Sequence, residues 1–165
     1  MRYGLTLLLL LVISTTVAIA QSANIALGSQ GFDASLPVEV TADQFSVDQT
    51  SGKAVFDGNV LIVQGEVRLS AGTVTIEYAD EGAGNAISRL LASGGVTFVT
   101  AADAAEAQDA VYSVAQGTVT LSGDVLLTQG RNAIAGDRLV LNLGSGNGRM
   151  EGRVRTVFTP SDGGN

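Results

Sequence analysis

The sequence of 165 residues contains no cysteine, no histidine and no tryptophan, and it has only two prolines. Without cysteine or histidine the chain cannot build a thiol nucleophile, a Ser–His–Asp triad or an imidazole metal site. Without disulfides, the core must hold itself together by packing. Basic residues are also scarce, since 9 Lys and Arg stand against 16 Asp and Glu, for a net charge of −7. This balance argues against a nucleic-acid partner, because phosphate binding needs a concentrated basic surface.

Residues 1–20 have the composition of a secretory signal. Arg2 supplies a positive charge near the N-terminus, and the stretch from Leu5 to Val17 is mostly apolar. Ala18-Ile19-Ala20 has the small-x-small pattern of a cleavage site. This pattern predicts cleavage after Ala20 and export to a periplasm. The alternative is an uncleaved membrane anchor, but the apolar run is short for a bilayer span, which needs roughly 20 residues.

The remaining 145 residues suffice for one domain with its own core. Residues 21–36 show little periodicity and are predicted to be a flexible N-terminal segment. The domain is predicted to run over residues 37–160, between the two prolines, and residues 161–165 are predicted to be a loose tail.

Two short sequence motifs, which we call marks, recur along the chain. A Gly-x-Val step places valines 36, 29 and 29 residues apart, at Val60, Val96, Val125 and Val154. An alanine followed by small or polar residues precedes each step, at Ala42, Ala71, Ala107 and Ala135. Two marks in phase indicate one supersecondary unit used four times. The glycine of each step is predicted to allow a bend or bulge between strand segments.

Between the marks, apolar and polar residues alternate with a period of two, as in 67–70, 73–78, 118–122 and 138–143. Such alternation predicts strands with one apolar and one polar face, and therefore an all-β protein. The Ala-rich segment 101–110 is ambiguous, since its propensity favours a helix. The repeat phase instead predicts a strand from about Ala105 onward, with a short turn or helical piece left open at 101–104.

The order and spacing of these motifs resemble a known family. Pro37 to Gln44, Asp57 to Gly65 and Leu121 to Val125 are similar to the OstA-like domain family of periplasmic lipopolysaccharide-transport proteins typified by LptA. The resemblance covers roughly residues 37–158. It implies an OstA-like β-jellyroll, a V-shaped open trough of short antiparallel strands built from repeated units. It also implies a protein without enzymatic activity, cofactor or metal.

The resemblance further implies a function and partners. The family binds lipopolysaccharide, shields its lipid A acyl chains in the trough, and bridges the inner and outer membranes of Gram-negative cells. Implied partners are the related domains of LptC-like and LptD-like components, with head-to-tail self-association as a further expectation. Val38 and Val40 match the partner and lipid-entrance edge, and Phe98, Tyr112 and Val114 match positions that line the trough.

Alternation alone adds further candidates for the trough lining. They are Phe45, Val60, Ile62, Leu69, Ile76, Val125, Leu127, Leu139 and Leu141. Arg149, Arg153 and Arg155 form a basic cluster and are the candidates for contact with a head group or an acidic partner.

Several alternatives remain open from the sequence. One is a structural β-repeat protein that self-assembles without a ligand, which predicts a fully packed interior. Another is the related LptC-type component, which keeps a membrane anchor. A third is a hydrolase using Asp or Glu, which has only the acidic composition behind it. Asp103, Glu106 and Asp109 have helical spacing and on a helix could share a face, but a solvated acidic patch is the favoured interpretation.

Overall fold

A computed structural model describes residues 22–26, 36–79 and 86–158. The predicted signal peptide and tail lie outside these residues. No helix in the described ranges is long and apolar enough to cross a membrane.

The described residues form an antiparallel sheet, which confirms the all-β prediction. In chain order its strands are β1 Ser22–Ala26, β2 Glu39–Thr41, β3 Gln44–Asp48, β4 Lys53–Gln64, β5 Val67–Tyr78, β6 Ile87–Ser93, β7 Val96–Val99, β8 Asp103–Ala107, β9 Asp109–Ser113, β10 Thr118–Gln129, β11 Asn132–Asn142, β12 Asn147–Glu151 and β13 Arg155–Val157.

The Gly-x-Val steps form a crease that divides the sheet in two. The β4–β5 register shifts between Asp57 and Val60, and the β10–β11 register shifts between Ser122 and Val125. At the other two steps the crease separates β6 from β7 and β12 from β13. Strands β4, β5, β10 and β11 are therefore longer than predicted, at 11–12 residues, because the crease bends them without ending them.

We call the two parts half-sheet A and half-sheet B. Half-sheet A contains β1, β3, β6, β9, β12 and residues 53–57, 73–78, 118–122 and 138–142 of the long strands. Half-sheet B contains β2, β7, β8, β13 and residues 60–64, 67–71, 125–129 and 132–136. Apolar residues of both half-sheets share one core, so the two halves face each other.

The alanine mark and the Gly-x-Val step meet at the crease. In three of the four units a side chain one or two residues after the alanine bonds the residue after the glycine, 16 positions later. The pairs are Asn59 Nδ2 to Asp43 Oδ2 (2.7 Å), Gln108 Nε2 to Asp124 Oδ2 (2.9 Å) and Arg153 Nη2 to Asp137 Oδ1 (3.0 Å). In the fourth unit two glycine backbones touch, since a Cβ on Gly94 would lie 3.3 Å from the Cα of Gly72.

Inward-facing residues form continuous cross-strand rows, as the register requires. One row of half-sheet A runs from β3 to β1 through Phe45, Phe56, Val74, Ala92, Ala110, Leu121, Leu139, Met150 and Ala23. One row of half-sheet B runs from β2 to β13 through Val40, Ile62, Leu69, Phe98, Ala105, Leu127, Ile134 and Thr156. Their C-terminal ends pack together, leaving Leu121, Leu127, Leu139 and Met150 fully buried.

The structure corrects one prediction and resolves one ambiguity. Residues 22–26, predicted to be part of a flexible segment, form β1 paired with β12, because the free edge of β12 supplies partners for their backbone groups. The segment 101–110 is a bend followed by β8 and β9, as the repeat phase predicts. The helix needed for a shared face of Asp103, Glu106 and Asp109 does not form there.

An ion cluster on the outer face joins β4, β5 and β6. Glu77 accepts from Lys53 Nζ (2.7 Å) and lies 2.6 Å from Arg89 Nη2. The hydrogen bond from Lys53 and the nearby charge of Arg89 hold the pKa of Glu77 below its usual 4.5. The cluster therefore stabilises the fold above that pH, and its contribution is lost as the pH falls through the lowered pKa.

We expect Glu77→Gln to lower the free energy of unfolding at neutral pH by up to about 1 kcal/mol, as for other exposed ion pairs. Denaturant unfolding across pH measures this effect. The difference from the wild type should vanish well below pH 4.5. An equal difference at neutral and acid pH would show that the charge of Glu77 is not the cause.

Candidate functional site: an apolar cavity between the half-sheets

A cavity of about 390 Å³ lies between the half-sheets, in the part of the fold closest to β2 and β3. Its volume is in the range of small-molecule sites. It is lined by Val38, Val40, Ile62, Gln64, Val67, Leu69, Val74, Ile76, Ile87, Leu90, Ala92, Phe98, Ala110, Tyr112, Val114, Val119 and Leu143. The walls are thus apolar except for the Gln64 amide and the Tyr112 hydroxyl, and none of these side chains is charged.

The cavity reaches solvent where β2 and β3 end the sheet, which we call the N-terminal edge. Within the described residues both strands pair only with β4. Val38, which lines the cavity, is 52% exposed. Phe45 and Val47 of β3 lie on inward-facing rows but are 58% and 57% exposed, because no described strand follows β3 and faces them. The apolar interior is therefore open at this edge.

The structure places some of the predicted trough residues on the cavity wall. They are Ile62, Leu69, Ile76, Phe98, Tyr112 and Val114, and the edge residues Val38 and Val40 join them. These side chains come from five different strands or their immediate ends. The cross-strand register brings them together, with Ile62 directly between Val40 and Leu69.

The remaining predicted trough residues do not line this cavity, and their contact with lipid stays a prediction. Val60, Val125, Leu127, Leu139 and Leu141 are 0–1% exposed and belong to the packed core. They face inward as alternation predicts, but they lie at the crease or in the closed C-terminal half. Phe45 lies beyond the cavity at the N-terminal edge, where it packs on Phe56 with ring centroids 4.7 Å apart.

The basic cluster lies away from the cavity. Arg149 is on β12 near Glu151 (3.8 Å), Arg153 binds Asp137 at the crease, and Arg155 is on β13. All three belong to the end of the sheet opposite β2 and β3. Their role in binding a head group or a partner stays a prediction, and the geometry separates it from the cavity mouth.

Tyr112 is the aromatic wall residue that carries a polar group. It is half-buried between Leu90 and Val119 on neighbouring strands. Burial raises the pKa of its phenol, so the group stays neutral at physiological pH. Among the described residues its hydroxyl has no hydrogen-bond partner, so it remains available to a polar group of a ligand in the cavity.

Several wall residues escaped the sequence predictions. Val74 and Val119 alternate in phase with their neighbours and could have been chosen by the same rule. Ile87 could not, because the β5–β6 register shifts next to it, between Glu77 and Tyr78. Leu143 could have been chosen as well, since it ends the alternating stretch 138–143. It follows the end of β11 and is held by a bond from its N–H to the carbonyl oxygen of Gly117.

Comparison with known proteins agrees with this architecture. An uncharacterised protein of Rhizobium meliloti (strain 1021) is 28% identical over 154 residues, which cover 88% of this chain and 83% of that protein. The lipopolysaccharide export system protein LptH of Pseudomonas aeruginosa is 35% identical over 72 residues, which cover 44% of this chain and 39% of that protein.

A solved structure shows the same fold. The crystal structure of LptH, the LptA-homologous periplasmic component of the lipopolysaccharide transport device of Pseudomonas aeruginosa, superposes with a TM-score of 0.62 at 21% identity. The match covers 76% of this chain and 96% of the LptH chain. The predicted OstA-like jellyroll is thereby confirmed.

The family described as LptA/(LptD N-terminal domain) LPS transport protein matches residues 39–147. This range runs from β2 to the start of β12, and so contains most of both half-sheets, three of the four Gly-x-Val steps and nearly all of the cavity wall. The chain belongs to this family of lipopolysaccharide-transport proteins.

Proposed function

We propose that the protein is a periplasmic component of lipopolysaccharide transport that holds lipid A acyl chains between its half-sheets. The observation that carries this proposal is the uncharged apolar cavity that opens at the N-terminal edge. The predicted signal peptide supports the location, and residues 1–20 lie outside the described residues.

The chemistry of the cavity suits an acyl chain. Each methylene exposed to water costs roughly 0.8 kcal/mol, so a lipid with several chains needs cover to cross an aqueous compartment. The wall side chains offer apolar contact without a charge to desolvate. The Tyr112 hydroxyl on the wall can bond a polar group of the lipid. No catalytic group is needed for this task, and we propose none.

The N-terminal edge is also the proposed docking surface. Strands β2 and β3 present backbone donors and acceptors beside exposed apolar side chains. An edge of this kind accepts another strand by main-chain hydrogen bonding. We propose that related domains of LptC-like and LptD-like components join there or at the opposite edge, so that their apolar interiors become continuous.

The ligand-free alternative is less well supported. A purely structural β-repeat protein predicts a fully packed interior, and only the C-terminal half of this fold is packed in that way. The cavity in the other half favours lipid binding over a purely structural role. The LptC-type alternative depends on residues outside the described ranges and stays a prediction.

Photo-crosslinking in cells tests the proposal. A photoreactive phenylalanine analogue at Tyr112 should capture lipopolysaccharide, because the side chain lies on the cavity wall. The matched control is Leu126, a 39% exposed residue on the outer face of β10, where the analogue should capture none. Capture at neither position, or equally at both, would contradict the proposed site.

A further inference from the structure

The two polar side chains on the cavity wall differ in how they are bonded. Gln64 Nε2 donates to the carbonyl oxygen of Leu36 (3.0 Å). The Tyr112 hydroxyl has no hydrogen-bond partner among the described residues, and burial alone raises the pKa of its phenol. This hydroxyl is therefore partly withdrawn from water while its capacity to donate and to accept a hydrogen bond is unused.

Neither the repeat nor the packing requires a hydroxyl at this position. The equivalent residue 65 positions earlier, on β3, is Val47. The cross-strand neighbours of Tyr112 are Leu90 and Val119, and both have apolar side chains. Phenylalanine would fill the same space without the cost of taking a hydroxyl out of water. The hydroxyl is thus better explained by a ligand than by folding.

Tyr112 lies between a buried and an exposed part of the cavity wall. On the same face of β9, Ala110 on one side is 2% exposed, and Val114 just beyond the strand on the other side is 38% exposed. All three residues line the cavity, whose side chains carry no charge. An ionised group there would lose its hydration without a compensating partner. The group that suits this position is an uncharged oxygen on an otherwise apolar chain.

We propose that Tyr112 is a specificity-determining residue, which selects acyl chains that carry an uncharged oxygen inside the cavity. That oxygen is either a hydroxyl on the chain or the carbonyl oxygen of its ester or amide linkage. The phenol donates to it, and from a hydroxylated chain it also accepts. A chain without such an oxygen leaves the phenol unpaired, which discriminates against that chain. This inference rests on the proposed function, since it requires an acyl chain in the cavity.

Two neutral single-chain probes test the proposal. They are N-dodecanoyl homoserine lactone and its derivative hydroxylated at the β-carbon of the chain, which differ by one hydroxyl. Each probe is titrated calorimetrically into the wild type, Tyr112→Phe and Tyr78→Phe, and thermal unfolding checks that all three are folded. Tyr112→Phe removes the hydroxyl and keeps the ring. Tyr78→Phe is the matched control, because Tyr78 ends β5, is 39% exposed and does not line the cavity.

We expect Tyr112→Phe to weaken binding of the hydroxylated probe by about threefold to tenfold, the equivalent of one hydrogen bond. A loss confined to the hydroxylated probe assigns the contact to the chain hydroxyl. An equal loss with both probes assigns it to the linkage carbonyl. Unchanged binding of both probes, or the same loss in Tyr78→Phe, would overturn the proposal.

Failure of this inference is distinguishable from failure of the proposed function. Equal affinities of both probes for the wild type and Tyr112→Phe would leave the cavity as an acyl-chain site and remove the role of the hydroxyl. Absence of binding of either probe to the wild type would contradict both proposals.

Discussion

Ile62→Asp is expected to abolish lipopolysaccharide binding, whereas Leu61→Asp next to it is expected to leave binding intact. Ile62 is half-buried on the cavity wall between Val40 and Leu69. Leu61 is on the same strand but faces outward and is 38% exposed. The two variants add the same charge one residue apart, on opposite sides of the sheet.

The expected effect is large because an acyl chain would bury the new carboxylate. Removing an ion from water costs several kcal/mol even after relaxation, and each 1.4 kcal/mol is tenfold in affinity. Binding should therefore fall by about 100-fold or more. Without lipid the Ile62→Asp carboxylate can still reach solvent through the open edge, so the domain should stay folded.

Calorimetric titration with lipopolysaccharide measures the loss, and thermal unfolding of both variants serves as the control for folding. Wild-type affinity in a folded Ile62→Asp variant would mean that the cavity does not hold the acyl chains. An equal loss in Leu61→Asp would point to a general effect of negative charge.

Gly123→Ala is expected to destabilise the fold more than Gly130→Ala, a substitution at a turn glycine on the same strand pair. Gly123 has φ +83°, and a Cβ there would lie 2.8 Å from the Cβ of Gln108, which covers the crease. Gly130 has φ +56° with no atom within 4 Å of the added Cβ. Both substitutions strain the backbone by roughly 1–2 kcal/mol. Only Gly123→Ala adds the clash, at roughly 1–3 kcal/mol.

Denaturant unfolding of the two variants separates the backbone strain from the steric clash with Gln108. The free energy of unfolding should fall further in Gly123→Ala than in Gly130→Ala by the cost of displacing Gln108. Equal losses would show that the crease can open without penalty, and that the glycine is there for its φ alone.

The crease and the strands could be predicted from the sequence because both depend on local rules. Positive φ at Gly58 and Gly123 needs glycine, and alternation fixes which side chains face inward. Gln108 follows the alanine mark and Asp124 follows the glycine of the next step, so their hydrogen bond explains why the two marks lie a fixed distance apart in the sequence.

The division between cavity and core could not be predicted in the same way. Val119 lines the cavity whereas Leu121, two residues later on the same face, does not, although both side chains are buried. The difference depends on what the facing half-sheet places opposite each side chain, and alternation carries no such information. Strand β1 escaped prediction for a related reason. Asn24 and its small neighbours have little strand propensity, and the edge of β12 determines their conformation.

The crease contacts affect how the groove of such a fold can become longer in evolution. Each of the three bonded pairs joins residues 16 positions apart, so the bend of the sheet at each pair is specified within a short stretch of sequence. The two 65-residue halves of the repeat, marked by Gly52 and Gly117, can therefore be copied as a block. A tandem duplication of such a block would bring its own creases with it and lengthen the groove by a fixed increment. Such a duplication would lengthen the apolar path within one chain, as the proposed docking of related domains would do between chains.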